Sequence, residues 1–380
     1  MTLFWISITL VFYSYFLYPV LLRFLSITIS INRESDEKLR PFVSIIVAAY
    51  NEESNIPDKI DNYRRIDYPT DKIEILIGSD GSTDRTNEIL QNISAGNIRS
   101  FMYNERSGKA AVLNRLVKKA GGEILVFSDA NTVYRSDAIL KLVRHFKDKS
   151  VGGVCGQLRL INPTSNTGGE GERLYWGYEN NLKKYEGKIK TVLGANGAIY
   201  ALRKELYHPL PEYKVIMDDF LIPLRTVMDG YDIIYDEEAQ ATETTSPHLK
   251  GEFARKIRIG AANFNALSEI KSLLNPFRGF VAFALWSHKI FRWFAPFFLL
   301  CTFLCNLFLL NSLFYVYTFI FQIFFYASAL VGFYLDKKGK AIKIFTYPLY
   351  FSAINLAMAI GFFKFLTGSQ KPAWSRVERS

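Results

Sequence analysis

Residues 124–134 read ILVFSDANTVY, an apolar run with the character of a buried strand that breaks at Ser128-Asp129-Ala130-Asn131 and then resumes. A carboxylate and an amide therefore follow directly on a strand that is otherwise kept out of water. Burying such groups is unfavourable unless a partner satisfies them. The break indicates that this strand end meets a ligand, and the rest of the chain must indicate which kind.

Three earlier runs share this layout, each apolar and each followed by a polar turn and a helical pattern: residues 43–49 (VSIIVAA), 73–79 (IEILIGS) and 98–103 (IRSFMY). Apolar strands separated by helices are typical of a parallel sheet covered on both faces. Ligands bind such sheets beyond the carboxyl ends of the strands. We therefore predict an α/β domain over residues 41–270 with its site at that edge.

Polar residues cluster at the predicted strand ends, in residues 48–53 (AAYNEE), 79–86 (SDGSTDRT), 106–109 (RSGK) and 128–131 (SDAN). Each cluster alone has a structural explanation as a helix cap or a turn. Four clusters on one edge of one sheet favour a binding site instead.

The segments PFVSIIVAAYNEE, SDGSTDRT, RSGKAAVLN and FSDAN, in this order and spacing, resemble the nucleotide-sugar-binding half of family 2 glycosyltransferases of the GT-A type. The likeness is to membrane-bound members that make cellulose, hyaluronan and poly-N-acetylglucosamine, and it covers roughly residues 41–263. It implies a mostly parallel sheet with helices on both faces and a nucleotide-sugar donor, with a UDP-sugar expected first. By this resemblance Tyr50, Glu52 and Asp80 hold the nucleoside, and Lys109 lies near the diphosphate.

The resemblance also implies that Asp129 and Asn131 hold a divalent cation, Mg2+ or Mn2+, that bridges the sugar diphosphate. A hard cation with oxygen ligands neutralises the charge that develops as the sugar leaves the diphosphate. The family pattern has a second Asp where this chain has Asn131, so the cation site of this chain has one negative charge fewer. The structural alternative is that Asp129 caps the helix that follows Arg135.

The second half of the domain is expected to bind the acceptor. Residues 191–202 (TVLGANGAIYAL) interrupt an apolar run with Gly194, Asn196 and Gly197. Such an interruption fits either a close approach of the backbone to a ligand or a turn between strands.

Asp218 and Asp219 stand at the head of a helical pattern, where two carboxylates also favour the helix dipole. By the resemblance Asp219 is the base that takes the proton of the acceptor hydroxyl, and Asp218 replaces the usual Glu. The family relation also implies a product with inverted anomeric configuration.

Residues 251–263 (GEFARKIRIGAAN) place Arg255 and Arg258 on overlapping faces of a helix. These arginines would bind the diphosphate of the donor or contact lipid phosphates, and the sequence leaves both roles open. In the polymer-making relatives this element has a Gln followed by an Arg-Trp pair. This chain has Arg255 in place of the Gln, Arg258 in place of the Arg and Ile259 in place of the Trp. The departure argues against processive synthesis.

Three uncharged stretches flank the domain, at residues 1–22, 293–335 and 344–363. A membrane crossing needs about 20 mostly apolar residues, so the first and last stretches fit one crossing each and the middle one fits two. We predict an N-terminal anchor over residues 1–25 and a C-terminal region of about three spans over residues 294–366.

Basic residues set the expected orientation, because cytoplasmic loops carry an excess of Lys and Arg. None precedes the first span, whereas basic residues follow it closely and also lie between the last two spans: Arg23, Arg33, Lys38, Arg40, Lys337, Lys338 and Lys340. The α/β domain is therefore expected on the cytoplasmic face of the cytoplasmic membrane. Four crossings would leave the basic tail, residues 367–380, outside. One apolar stretch is therefore expected in the interface, and residues 276–293 fit an amphipathic interfacial helix best.

The formal net charge of +10 does not indicate a nucleic-acid partner, because the basic residues are dispersed and no recognition motif accompanies them. A cytoplasmic membrane face and a polyanionic substrate account for the excess. The expected partners are a nucleotide-sugar donor, a glycan or lipid-linked acceptor, membrane lipids, and export or assembly proteins.

Polysaccharide synthesis has three alternatives. One is single-sugar transfer to a lipid-linked glycan, and another is a non-catalytic assembly protein of the membrane that binds a nucleotide. The third, a nucleotidyltransferase, requires a glycine-rich basic loop after the first strand. This chain has the acidic, glycine-free AAYNEE there, which argues against that class.

Overall fold

A computed structural model of the 380-residue chain describes residues 1–93, 96–161, 167–244 and 249–370. The strands are β1 (Val43–Ala49), β2 (Ile73–Asp80), β3 (Ile98–Tyr103), β4 (Ile124–Asp129), β5 (Val133–Tyr134), β6 (Val151–Ile161), β7 (Tyr200–Arg203) and β8 (Asp232–Thr244). The helices are α1 (Thr2–Thr28), α2 (Ile56–Arg64), α3 (Thr86–Gln91), α4 (Lys109–Lys119), α5 (Ala138–Val143), α6 (Thr167–Ile189), α7 (Asp218–Met228), α8 (Leu249–Ala266), α9 (Phe280–Leu307), α10 (Leu313–Lys337) and α11 (Lys343–Leu366). Single turns of 3-10 helix lie at Thr70–Lys72, Arg144–Lys147, Lys204–Leu206, Lys271–Leu274 and Pro276–Arg278.

The eight strands form one mixed sheet in the order β3-β2-β1-β4-β7-β6-β8-β5. The pairs β1–β2, β1–β4 and β2–β3 are parallel, which confirms the predicted parallel half. β7 then runs antiparallel to β4 and to β6, while β8 is parallel to β6. In this register Ala48 lies opposite Asp129, and Ala49 lies opposite Ser79. The carboxyl ends of β1, β2 and β4 are therefore level with one another.

Alternate residues of β1 enter two separate apolar cores, because successive side chains of a strand point to opposite faces. Ile46 packs with Leu76 and Leu116 on one face, whereas Ile45 packs with Ile75 on the other. Both faces of the central strands are thus covered by helices. This two-sided burial makes the strands a rigid support for the polar residues at their ends.

Four helices, α1, α9, α10 and α11, are long and apolar enough to cross a membrane. The predicted interfacial segment, residues 276–293, is not a separate element, because α9 runs without a break from Phe280 to Leu307. The basic residues of this segment do not face lipid headgroups. His288, Lys289 and Arg292 all contact Glu179 of α6.

Helix α11 lies beside α8 of the α/β domain, and the two helices run in the same direction. A Cβ on Gly361 would lie 3.0 Å from the backbone carbon of Gly260, so the two backbones are in direct contact. Contacts follow in order along both helices: Tyr350 with Glu252, Gly361 with Gly260, and Phe362 with Phe264. The last candidate span therefore packs on the α/β domain from Tyr350 to Phe362. The basic residues of the predicted tail, Lys371, Arg376 and Arg379, lie outside the described residues.

Replacing Gly361 with leucine is expected to destabilise the protein. A Cβ there would lie 2.7 Å from the carbonyl oxygen of Ile257 and 2.9 Å from the backbone nitrogen of Ala261, so α8 or α11 must move. Overpacking of this kind destabilises by about 1–3 kcal/mol. The Tm of the detergent-solubilised protein should fall in Gly361→Leu and stay nearly constant in Phe363→Leu, whose side chain is exposed. Equal Tm values would contradict this packing.

Candidate active site

Asn51 ties the loop after β1 to the loop after β2. Its φ of 54° is in the left-handed region, which residues other than glycine rarely adopt. Its Oδ1 accepts from the backbone nitrogen of Thr83 at 2.8 Å, and its own backbone nitrogen donates to Ser82 Oγ at 3.1 Å. These bonds hold two of the polar strand ends together.

The residues predicted to hold the nucleoside surround these two loops. The Arg106 guanidinium lies over the ring of Tyr50, 3.7 Å from its centroid. Glu52 lines the cavity at the sheet edge. Asp80 is buried, and its oxygens accept from the backbone nitrogens of Ser107 at 2.7 Å and Gly108 at 3.0 Å. Asp80 thus shapes the loop that leads to α4, and a bound base would share its carboxylate with these donors.

Lys109 links the two halves of the site. Its Nζ lies 2.9 Å from Asp129 Oδ1 at the end of β4 and 3.0 Å from Asp218 Oδ1 at the start of α7. Burial alone would lower the pKa of Lys109, but the carboxylates of Asp129 and Asp218 outweigh burial and raise the pKa above its ordinary value. The lysine is therefore a fixed positive charge between them.

Asn131 is held by a carboxylate that the sequence analysis missed. Its Nδ2 donates to Oε1 of Glu243 on β8 at 2.7 Å, and Glu243 is buried. β8 ends more than a hundred residues after β4, so no local pattern connects the two side chains. Glu243 brings an additional negative charge to the position where the family pattern has a second Asp.

The donor set at this edge suits a hard divalent cation, because Asp129 and Asn131 offer oxygen atoms at the rim of the cavity with Glu243 beside them. Across the described ranges, no three His, Cys, Asp or Glu side chains form a metal-binding group of their own. A cation at Asp129 and Asn131 would therefore also use oxygen atoms of a substrate or of water.

A buried lysine supports the loop that carries Asp129. Lys59 of α2 donates to Ser128 Oγ at 2.6 Å and to the carbonyl oxygen of Thr132 at 2.6 Å. Burial lowers its pKa to about 7, although Asp129 and Glu243 act in the opposite direction. Lys59 was not predicted as part of the site, because a lysine in a short polar helix is usually at the surface.

The two carboxylates at the start of α7 have different surroundings. Asp218 is paired with Lys109, whereas Asp219 Oδ2 accepts from the backbone nitrogen of Gly197 at 3.1 Å. Burial, followed by the negative charge of Asp218, raises the pKa of Asp219 to about 6. A raised pKa on one of two adjacent carboxyl groups is a common property of acid–base sites.

The predicted acceptor loop separates into buried and cavity-facing residues. Asn196 is fully buried, donates to the carbonyl oxygen of Gly156 at 2.7 Å and accepts from Lys183, so it lies behind the wall. Gly194 has a φ of 109° and lines a second cavity. Gly197 lies between the two key carboxylates: a Cβ there would be 3.2 Å from Asp219 Oδ2 and 3.4 Å from Asp129 Oδ2.

The two arginines of α8 also differ. Arg255 forms salt bridges with Glu172 at 2.5 Å and with Glu252 at 2.7 Å. Arg258 is half-buried in the wall of the first cavity, and its buried Nε finds no hydrogen-bond partner among the described residues. Burial and the nearby Arg255 lower the pKa of Arg258, while Asp129, Asp218 and Asp219 oppose that change. Arg258 is therefore the arginine whose charge is directed at the acidic cluster.

One cavity brings most of these residues together. From the predicted set it includes Glu52, Lys109, Asp129, Asn131, Asp218, Asp219, Arg255 and Arg258. It also includes Glu243 and Trp176, which were not predicted. Trp176 lies on α6, and its indole Nε1 is buried without a partner among the described residues. The cavity thus combines acidic, basic and aromatic groups at the carboxyl ends of the strands.

Residues 44–208 match the protein family described as "Glycosyl transferase family 2", so the chain carries a glycosyl transferase family 2 domain. Over 235 residues it is 26% identical to the poly-beta-1,6-N-acetyl-D-glucosamine synthase of Staphylococcus aureus, covering 60% of this chain and 57% of that protein. Over 203 residues it is 29% identical to the beta-monoglucosyldiacylglycerol synthase of a Nostoc species, covering 51% of this chain and 42% of that protein. The chain thus spans only about half the length of these relatives.

A solved structure shares the fold over nearly the whole chain. The mannosyltransferase PcManGT from Pyrobaculum calidifontis, in complex with GDP-Man and Mn2+, superposes with a TM-score of 0.73 at 22% identity, covering 97% of this chain and 100% of that one. The predicted GT-A-like sheet with helical N- and C-terminal regions is confirmed by this likeness and by the strand order.

Gly197→Ala is expected to slow donor turnover, because the new methyl group would stand between Asp219 and Asp129. A displacement of reacting groups by a fraction of an ångström to 1 Å lowers rates by about tenfold to a hundredfold. The measurement is release of nucleoside diphosphate from a nucleotide-sugar. Gly177→Ala on α6, where a Cβ meets no atom within 4 Å, is the matched control. Equal rates for both variants would place the reacting groups elsewhere.

Proposed function

We propose that this protein is an inverting glycosyltransferase that moves a sugar from a nucleotide-sugar, with UDP-sugars as first candidates, to a glycan or lipid-linked acceptor at the cytoplasmic face of the membrane. The observation that supports this proposal is the meeting of Asp129, Lys109 and Asp219 in one cavity of a glycosyl transferase family 2 domain. These groups supply the three needs of the reaction: a place for a cation, a positive charge for the leaving group and a base.

The donor would lie along the edge of the sheet. Its nucleoside would contact Tyr50, Glu52 and Asp80. Its diphosphate would lie by Lys109 and Arg258, two of the cations that line the cavity. Arg255, already held by two carboxylates, would position α8 and would not bind the donor itself.

Asp129 and Asn131 would hold Mg2+ or Mn2+, with Glu243 fixing the orientation of the Asn131 amide. A bound cation would neutralise the charge that develops on the diphosphate. The mannosyltransferase of similar fold was solved with GDP-Man and Mn2+, which agrees with this choice of ion.

Asp219 would act as the base. An acceptor hydroxyl placed beside Asp219 attacks the anomeric carbon, its proton goes to the carboxylate, and the carbon–oxygen bond to the diphosphate breaks with both electrons leaving on the nucleoside diphosphate. Lys109 and Arg258 are fixed before the reaction and stabilise that negative charge. Asp218 keeps Lys109 in place through their 3.0 Å contact.

Two acceptor classes fit the relatives: one makes a poly-N-acetylglucosamine and the other is named for a glycosylated diacylglycerol. Single transfer to a lipid-linked acceptor is favoured by one observation, because the cavity beyond Asp219 is walled by the membrane helices. A non-catalytic assembly protein would bind the donor without turning it over.

The membrane arrangement we propose has three crossings, α1, α9 and α10, with α11 lying in the interface. The support is that α11 follows α8 along its length. This arrangement places both the α/β domain and the basic C-terminal residues in the cytoplasm, as the positive-inside rule favours.

Transfer is expected to fall as the pH drops below about 6, because Asp219 acts only when deprotonated and its pKa is raised to about 6. Above that pH the rate should level off. Replacing the base, Asp219→Asn, should lower transfer about a hundredfold or more and remove this pH step. The measurement is kcat/KM against pH at fixed ionic strength.

Asp229→Asn is the matched control, since Asp229 is exposed at the other end of α7. Donor binding, followed by displacement of a fluorescent nucleotide, should survive Asp219→Asn. Full transfer activity in that variant would show that another group is the base.

Single-cysteine labelling tests the membrane arrangement, in a chain whose three native cysteines are replaced. A cysteine at Ser312, between α9 and α10, should react with a membrane-impermeant reagent in intact cells. Cysteines at Lys340 and Ser369, on either side of α11, should react only after permeabilisation. Labelling at Ser369 in intact cells would show that α11 crosses the membrane.

A further inference from the structure

A second cavity adjoins the first on the far side of Asp219. Both cavities are lined by Asp219, Trp176 and Ile259, so the side chain proposed as the base stands at their boundary. The walls of the second cavity come from α6 and α8 of the α/β domain and from α1, α9 and α11. An acceptor that reaches Asp219 from this side therefore comes from the direction of the membrane.

Basic side chains predominate on the wall of this second cavity. Beside His288 and the carboxylates of Glu179 and Asp219, five lysine and arginine side chains line it. They are Lys183, Arg255, Lys256, Lys289 and Arg292. Glu172 and Glu252, which are not part of the wall, balance the charges of Arg255 and Lys256. Three cations thus remain against two carboxylates.

The contacts of these three cations leave a positive surplus in place. Lys289 and Arg292 share one carboxylate, Glu179, at 3.2 Å and 2.6 Å. Lys183 donates to neutral oxygen atoms, among them the carbonyl oxygen of Ala195 at 2.9 Å.

Lys256 is a buried cation that shares its carboxylate with another cation. It is 5% exposed, and its carboxylate contact is Glu252 at 3.5 Å, the group already paired with Arg255. Its Nζ lies 3.7 Å from the ring centroid of Tyr175. Burial lowers the pKa of Lys256 and Arg255 adds to that effect, while the carboxylates of Glu252, Glu172 and Glu179 oppose it. A buried cation in these surroundings gains strongly from an anion placed beside it.

A third cavity extends the second one towards the surface of the membrane helices. The two share Tyr15, Tyr175, Arg292, Ile354 and Asn355. Beyond these residues the third cavity is lined by aromatic side chains of α11: Tyr347, Tyr350 and Phe351. The path from Asp219 thus changes from charged to aromatic, as the headgroup and tail of an amphiphile require.

We propose that the second cavity binds the phosphate of a membrane lipid that presents a headgroup hydroxyl to Asp219 and leaves its tail along α11. The identity of this lipid as the acceptor rests on the proposed function, whereas the phosphate site itself does not. Lys256, Lys289 and Arg292 hold the phosphate. Trp176, with its indole N–H at the boundary of the two cavities, faces the hydroxyl-bearing part of the headgroup.

The transfer balances without any further reactant. The headgroup oxygen forms a bond with the anomeric carbon, and that carbon loses its bond to the diphosphate oxygen. The hydroxyl proton moves to Asp219, and the electron pair leaves with the nucleoside diphosphate. The lipid phosphate stays intact and serves only as an anchor.

Native mass spectrometry of the detergent-solubilised chain tests this site, with dioleoyl phosphatidylglycerol as the probe because it combines tails, a phosphate and nearby hydroxyls. Dioleoylglycerol lacks the phosphate, and glycerol 3-phosphate lacks the tails. We expect phosphatidylglycerol to bind at least about tenfold more tightly than either compound, a difference of about 1.4 kcal/mol. Equal binding of dioleoylglycerol would refute the phosphate site, and equal binding of glycerol 3-phosphate would refute its assignment to a lipid.

Lys256→Gln should weaken phosphatidylglycerol binding about tenfold. Lys250→Gln, at an exposed lysine of the same helix, is the matched control for surface attraction and should bind as the wild type does. Asn263→Asp, which adds a negative charge to the cavity wall, should weaken binding as well and guards against misfolding of the first variant. Wild-type binding in both cavity variants would overturn the proposal.

Release of nucleoside diphosphate, measured on the same preparations with and without membrane lipid and glycan extracts, distinguishes the lipid site from the proposed function. If this release occurs and Lys256→Gln binds the lipid as tightly as the wild type, the lipid site is wrong and the glycosyltransferase function stands. If lipid binding depends on Lys256 while no donor is turned over, the site stands and the proposed function fails.

Discussion

The contact of Lys109 with both Asp129 and Asp218 is the interaction on which the site depends. Asp129 ends the parallel part of the sheet, whereas Asp218 begins α7 beyond the antiparallel strand β7. One ammonium group thus fixes the distance between the two halves. Partly buried charges of this kind are stable only together, since removing one leaves the others without compensation. The fold therefore presents a charged cleft before any substrate enters.

Helix α8 connects this cleft to the apolar helix α11. Arg258 lines the first cavity, Lys256 lines the second, and Gly260 contacts α11. Lys256 and Gly260 are four residues apart and share one face of the helix, whereas Arg258 lies on the opposite side. A shift of α11 against α8 would move both cations. The packing of the last apolar helix and the geometry of the reaction are consequently parts of one arrangement.

The sequence was sufficient to predict those elements that a local pattern defines. The apolar runs of β1 to β4 and the helix that begins at Asp218 were predicted closely, because burial on both faces and helical spacing are visible within ten residues. Lys59, Glu243 and Trp176 were missed, because each enters the site through contacts with distant parts of the chain. The segment 276–293 looked interfacial because its basic residues were visible and their partner Glu179, on α6, was not.

The most direct test of the central claim is nucleoside diphosphate release by the purified, detergent-solubilised protein. A panel of UDP-, GDP- and other nucleotide-sugars would be offered with Mg2+, with Mn2+ and with chelator, in the absence and presence of membrane lipid and glycan extracts. We expect release from one donor class, and chelator should abolish that release. No release from any donor under any of these conditions would contradict it and favour a non-catalytic nucleotide-binding protein.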